Sequence, residues 1–222
     1  MPITENIVIE PLNIKLVKVT IYGDVMIQHC FHEKARKQLL ALQMKLKSKV
    51  GKRPKRKPKE EFELSLHIIS PGKFTYLSNH EYGLGEVKFS GKIGFLASGI
   101  KKAIVASARN VDKLPMTLLR GALFIQGDDK NKELVEIKYK TLNMREDIVI
   151  VSNGNPDLRW RGELKDWETD LAIEYNADVV SASQIVNLLS VAGFSVGLAE
   201  MRPGKTGGNY GRFKVKPGQY KE

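Results

Sequence analysis

The sequence predicts an α+β fold in which helices pack on an antiparallel sheet. Segments such as Ile14 to Tyr22 and Thr169 to Tyr175 alternate apolar with polar residues, as half-buried strands do, whereas other segments repeat apolar residues at helical spacing. The order is strand, helix, strand, helix, several strands, helix, strand. With 222 residues, 42% of them hydrophobic, the chain can bury one sizeable core, so residues 1–222 are read as a single domain.

The first strand, 14–22, has its apolar face at Val17, Val19 and Ile21 and closes at Gly23-Asp24, a turn pair. A helix is expected from Glu33 onward, striped by Ala35, Leu39, Leu42 and Leu46. It runs into a basic arm, 45–60, where Gly51, Pro54 and Pro58 break regular structure and like charges repel, so the arm is expected to move freely until it meets a polyanion. Phe62, Leu64, Leu66 and Ile68 alternate with Glu63, Ser65 and His67 and predict a strand, followed by a glycine-rich stretch with a short strand at Val87 to Phe89. Ile100, Ala103, Ile104, Ala108 and Val111 predict a helix capped by Ser98 that leaves Lys101, Lys102 and Arg109 off its apolar stripe. Strands are expected over 117–125, 134–140, 147–151 and 169–175. Ser181 with Gln184 makes a capping box for a helix over 182–192, striped by Ile185, Leu188, Leu189 and Ala192 and stopped by Gly193. Phe194, Val196 and Leu198 predict another strand, and a glycine-rich loop, 202–212, leads to a last one through Phe213 and Val215.

Composition excludes several classes. Cys30 is the single cysteine, so neither a disulfide framework nor a multi-cysteine zinc site is available, and a reducing cytosol is the expected compartment. No apolar run reaches the roughly 18–20 residues of a membrane-spanning helix, and Met1 to Glu5 lacks the pattern of a signal peptide. A soluble cytoplasmic protein with no membrane partner is therefore expected. The chain has 36 basic and 25 acidic residues, a net charge of +11. Nine of the basic residues, Lys45, Lys47, Lys49, Lys52, Arg53, Lys55, Arg56, Lys57 and Lys59, lie in one stretch without an acid. The remainder carries only +2, so the excess is concentrated in the arm.

That concentration points to phosphates, because a cationic stretch releases condensed counterions when it meets a nucleic-acid backbone. Lys101 and Lys102, at a helix start, add charge beside free backbone N–H groups. The loop offers Arg202, Lys205 and Arg212 among Gly204, Gly207, Gly208 and Gly211, with Tyr210 and Phe213 as stacking surfaces. Gly204-Lys205-Thr206 is not a P-loop, because Ala199 stands where that motif needs its first glycine and glycines follow where a helix should begin. Arg145, Arg159 and Arg161, the last two flanking Trp160, are expected in or beside loops, either contacting bases and phosphates or pairing with Glu163 or Asp166 around a core indole. His29, Cys30 and His32 lie close in sequence, but alternation sends the first two to opposite faces, so no metal site and no cofactor is expected.

Two stretches carry a resemblance. Gly94 to Ile104, with Ala97-Ser98-Gly99-Ile100-Lys101-Lys102-Ala103-Ile104, resembles the start of a helix in the repeat-associated (RAMP) superfamily of CRISPR effector complexes, above all its guide-RNA-binding backbone subunits. Ala192 to Gly197 followed by Arg202 to Phe213 resembles the glycine-rich loop near the end of those proteins. Lys102 stands where that superfamily often has glycine. The chain is also similar to uncharacterised proteins of tailed bacteriophages in Arg120 to Phe124 and Met144 to Asp147, which implies host cytoplasm as the location. The superfamily resemblance implies a ferredoxin-like or RRM-like core whose copies line up along an RNA strand.

Residues and resemblance together lead to the expectation of a non-catalytic protein that binds single-stranded RNA or DNA and forms homo-oligomers. The alternative is a structural or host-interaction protein whose basic arm meets an acidic protein surface. A nuclease would instead need clustered carboxylates and a divalent metal.

Overall fold

In the computed structural model, which describes residues 11–30, 56–111, 114–150 and 154–218, two long strands set the frame. In chain order the elements are β1 (Ile14–Gln28), α1 (Pro58–Ser65), β2 (His67–Ser70), β3 (Phe74–Tyr76), β4 (Gly85–Phe89), β5 (Lys92–Leu96), α2 (Ala97–Ser107), a 3-10 turn (Ala108–Asn110), α3 (Met116–Ala122), β6 (Leu123–Gln126), β7 (Leu134–Glu136), β8 (Thr141–Ile150), β9 (Pro156–Asn176), α4 (Ala182–Ser195), α5 (Pro203–Thr206) and β10 (Lys214–Val215). β1 and β9 pair antiparallel from Ile14 opposite Asn176 to Gln28 opposite Gly162. Alternate residues share a face, so Val17, Val19 and Ile21 lie with Ile173, Leu171 and Thr169, all of them buried.

Among the described residues the main sheet runs β10-β1-β9-β8-β4-β3, and β6 joins the C-terminal end of β9. Within β10-β1-β9-β6 every neighbouring pair is antiparallel. A smaller sheet, β2-β5-β7, is tied to β1 by the buried Gln28, whose Nε2 donates to the Gly94 carbonyl at 2.8 Å and whose Oε1 accepts from the His67 N–H at 3.1 Å. The apolar stripes of α2 (Ile100, Ala103, Ile104) and α4 (Ile185, Leu188, Leu189, Ala192) are buried in one core with the sheet. Ser107 Oγ donates to the Leu188 carbonyl at 3.0 Å and Asn110 Nδ2 to Ser195 Oγ at 3.1 Å, so the two helices advance in the same direction.

Beyond Gly162 and Met144, β9 and β8 pair only with each other among the described residues, as far as Pro156 opposite Ile150. This hairpin presents Ile148 (72% exposed), Ile150 (70%) and Leu158 to solvent.

Several expected elements differ. The alternating run at Phe62 to Ile68 is mostly helix: Pro58 occupies the first turn, Glu60 and Glu61 favour the positive helix N-terminus, and Phe62, Ser65 and Leu66 form the buried i, i+3, i+4 face. The segment 117–125 divides into α3, which buries Leu119 and Ala122 behind Pro115, and β6. Gly23 and Asp24 make no turn, because β1 continues past them with Gly23 opposite Trp167. α2 starts at Ala97 rather than after a Ser98 cap. The expected strand 134–140 ends at Glu136, and that over 147–151 is the outer half of β8. The capping box at Ser181 is present, but α4 runs through Gly193 to Ser195, which removes the strand expected over 194–198. The helix expected from Glu33 lies outside the described residues.

Candidate nucleic-acid interface

Left-handed backbone folds the chain back after α4. Gly197, Ala199, Met201, Gly207 and Gly211 all have φ between 53° and 70°. Gly211 is clamped on both sides: its N–H donates to the Val25 carbonyl and its carbonyl accepts from the Leu198 N–H, each at 2.8 Å. A Cβ there would strike the Leu198 carbonyl, so left-handed φ and close approach both require glycine. Phe213 N–H donates to the Gly193 carbonyl at 3.1 Å, fixing the far end of the loop on α4.

These clamps enclose a cleft of about 870 Å³ between Tyr22 to Val25 of β1, Ser190 and Phe194 of α4, and the loop residues Gly208, Asn209, Tyr210 and Arg212 to Val215. Phe194 is 70% exposed, and the Arg212 guanidinium lies 4.8 Å from its ring centre. Arg145 lies 5.1 Å from the ring of Tyr210. A planar cation on an exposed aromatic face, as Arg212 is on Phe194, provides charge for a phosphate and a flat surface for a base.

The structure divides the predicted cations into two groups. Arg145, Arg159 and Arg161 are on strands rather than loops and are engaged by acids. Arg145 contacts Asp147 at 2.6 Å and Glu163 at 2.8 Å, and Arg161, buried, faces Asp147 at 3.5 Å and Glu200 at 3.9 Å. Arg159 contacts Asp157 at 2.7 Å. Burial disfavours the charge of Arg145, but hydrogen bonds to Asp147 and Tyr210 and the charges of Asp147 and Glu163 outweigh it and push its pKa up. Lys205 is held by Glu200 at 2.6 Å, a further departure from a P-loop lysine. Arg56, the first described residue of the arm, contacts Glu61 at 2.5 Å, Asp157 at 2.7 Å and the Leu158 carbonyl at 2.6 Å, and lies over Trp160, which is buried. Lys57 faces Glu60 at 3.3 Å.

The second group has no carboxylate partner among the described residues: Lys59, Lys101, Lys102, Arg109, Arg202 and Arg212. Of these, Arg202 donates to the Ala199 carbonyl at 2.6 Å. Arg109 precedes Asn110, which bonds to Ser195 at the end of α4, but its own Nε donates to Met116 Sδ of α3 at 3.3 Å. Lys101 instead covers Phe124 at 3.8 Å, and burial pushes its pKa down. Phe124 is opposite Glu174 whereas Tyr22 is opposite Glu168, so six residues of β9, or about 20 Å, separate that lysine's anchor from the cleft. The predicted residues therefore do not form one groove. Lys45, Lys47, Lys49, Lys52, Arg53 and Lys55 lie outside the described residues, as does His32.

Sequence reasoning missed Tyr22, Asp24, Phe194 and Lys214 in the cleft. The signal for Phe194 was within reach: it falls off the stripe of Ile185, Leu188, Leu189 and Ala192 once the helix is allowed to pass Gly193. The sheet face carrying Tyr22 and Phe124 is a poorer platform, because Glu168, Asp170 and Glu174 line its central strand. Asp170 bonds to Lys138 at 2.8 Å and Glu168 to Lys216 at 3.2 Å. Among the described residues no helix is long and apolar enough to cross a membrane, and no group of three or more His, Cys, Asp or Glu residues is arranged to hold a metal ion. No protein-family model matches the chain, and no curated protein matches it.

Proposed function

We propose that the protein binds single-stranded RNA or DNA without acting on it chemically, the basic arm gripping the backbone and the cleft engaging the strand locally. The observation that carries this reading is the cleft, where Arg212 stands over the exposed ring of Phe194 and Lys214 joins the lining, neither with a carboxylate partner among the described residues. Arg56 supports it by fixing the root of the arm at Leu158, only three residues along β9 from Arg161, whose pair in β8 is Arg145, the residue against Tyr210. A ferredoxin-like core is the finer fold reading, supported by the antiparallel order β10-β1-β9-β6 with helices on one face. It departs from the simplest form of that fold in that α2 advances alongside α4. Copies assembling along the strand, as the resemblance to RAMP proteins implies, complete the proposal.

The test is fluorescence anisotropy of a labelled oligonucleotide across a salt series, comparing the intact chain with a variant carrying Lys49→Gln, Lys52→Gln, Arg53→Gln and Lys55→Gln. Binding should fall steeply with salt, and the slope of log affinity against log salt should flatten by about 0.7 for each phosphate contact removed. No binding at low salt, or an identical slope for the variant, overturns the proposal. A stoichiometric complex with an acidic protein and none with oligonucleotides would favour the host-interaction alternative.

A further inference from the structure

We infer that the cleft seats an unstacked nucleobase on Phe194, with Arg212 covering that ring until the base arrives and Asp24 and Asn209 facing the base edge. This rests on the nucleic-acid reading and adds what the cleft recognises. A phosphate has no use for a phenyl ring, yet Phe194 is held 70% exposed at the end of α4, where Gly193 is fastened to the Phe213 backbone and the next residue's hydroxyl, Ser195 Oγ, donates to the Val191 carbonyl at 2.8 Å. The backbone that carries the ring is therefore held on both sides of Phe194. Arg212 lies over it at 4.8 Å and is itself exposed, so the guanidinium can leave the ring for a phosphate of the same nucleotide while a base takes its place.

The polar lining has the same preference. Asp24 and Asn209 line the cleft. A carboxylate repels phosphate but accepts hydrogen bonds from N–H groups on a base edge, and a side-chain amide both donates and accepts. Guanine, with adjacent N1–H and N2–H donors, suits Asp24 best, and thymine or uracil, with one N–H between two carbonyls, suits it least. A paired duplex keeps these edges and faces covered, so the site reads single strands.

The experiment uses the full chain and an oligonucleotide alternating thymine with 2-aminopurine, whose emission is quenched by stacking. Anisotropy reports binding and emission reports stacking. The intact protein should quench emission at saturation. Phe194→Ala, at a solvent-facing position, should bind about tenfold more weakly with little quenching and an unchanged salt slope. Arg212→Ala should keep the quenching and lose one contact from the salt slope. In oligothymidylate with scattered guanines, the intact protein should favour guanine by about tenfold, and Asp24→Asn should abolish that preference. Binding without quenching, or quenching equal in Phe194→Ala, overturns the base site while leaving nucleic-acid binding intact. No anisotropy change with either oligonucleotide overturns both readings.

Discussion

Asp147 holds two arginines from inside the protein. Its Oδ1 accepts from Arg145 at 2.6 Å while Oδ2 faces the buried Arg161 at 3.5 Å. Removing it leaves Arg161 buried with only Glu200 at 3.9 Å, so Asp147→Ala should cost about 3–5 kcal/mol in urea unfolding at neutral pH. The same network sets the response to acid. Burial pushes the Glu163 pKa up, but hydrogen bonds with Asn143 and Lys165 and the charges of Lys165 and Arg145 outweigh it and hold the pKa below the ordinary range. Glu200 behaves alike: the Lys205 hydrogen bond and the charges of Lys205, Arg161 and His29 overcome the effect of burial. Both folded values lie below the unfolded one of about 4.3, so their stabilisation is complete above that pH and is lost as pH falls through the folded values. The urea midpoint should therefore drop between about pH 5 and pH 3, and drop less in a Glu163→Gln, Glu200→Gln double variant.

Gly193 shows at the level of an element how a residue can signal one thing and do another. In sequence it is a helix stop, yet α4 passes through it because the missing side chain makes room for the Phe213 backbone, whose carbonyl a Cβ would strike. Gly193→Ala should therefore destabilise the protein by roughly 1–3 kcal/mol by thermal or urea unfolding, although alanine is the better helix former. A gain in stability would show that the β10 side of the cleft yields. Elements whose period is long and unambiguous were legible in type and place but not in their ends: β1 and α4 run past the expected stops at Gly23-Asp24 and Gly193, and α2 starts at Ala97 rather than after a Ser98 cap. Phe62 to Leu66 was not, because Phe62, Ser65 and Leu66 satisfy a helical face while Phe62, Leu64 and Leu66 satisfy an alternating one, and the helix signals, Pro58 with Glu60 and Glu61, lie just upstream in a stretch that reads as a broken basic arm. The candidate site was partly legible for a related reason. The loop's glycines and Arg212 announce themselves, whereas Phe194 shows itself only once the helix is allowed past Gly193 and Tyr22 reads as an ordinary strand residue until folding leaves it at the surface.

The charge of the whole molecule and the reach of its longest strands combine in the outer hairpin. Ile148, Ile150 and Leu158 stay in water where β8 and β9 have outrun their neighbours, on a chain whose net charge is +11. At low ionic strength like charge keeps copies apart; at about 1 M salt the screening length shrinks to roughly 3 Å and apolar contact is no longer opposed. Static light scattering should therefore rise with salt and with protein concentration, and an Ile148→Lys, Ile150→Lys variant should stay flat; an equal rise in both would assign the stickiness elsewhere. Under the proposed function, salt would act in two opposed senses, loosening the grip on a polyanion while removing the charge that keeps Ile148 and Ile150 of neighbouring copies apart.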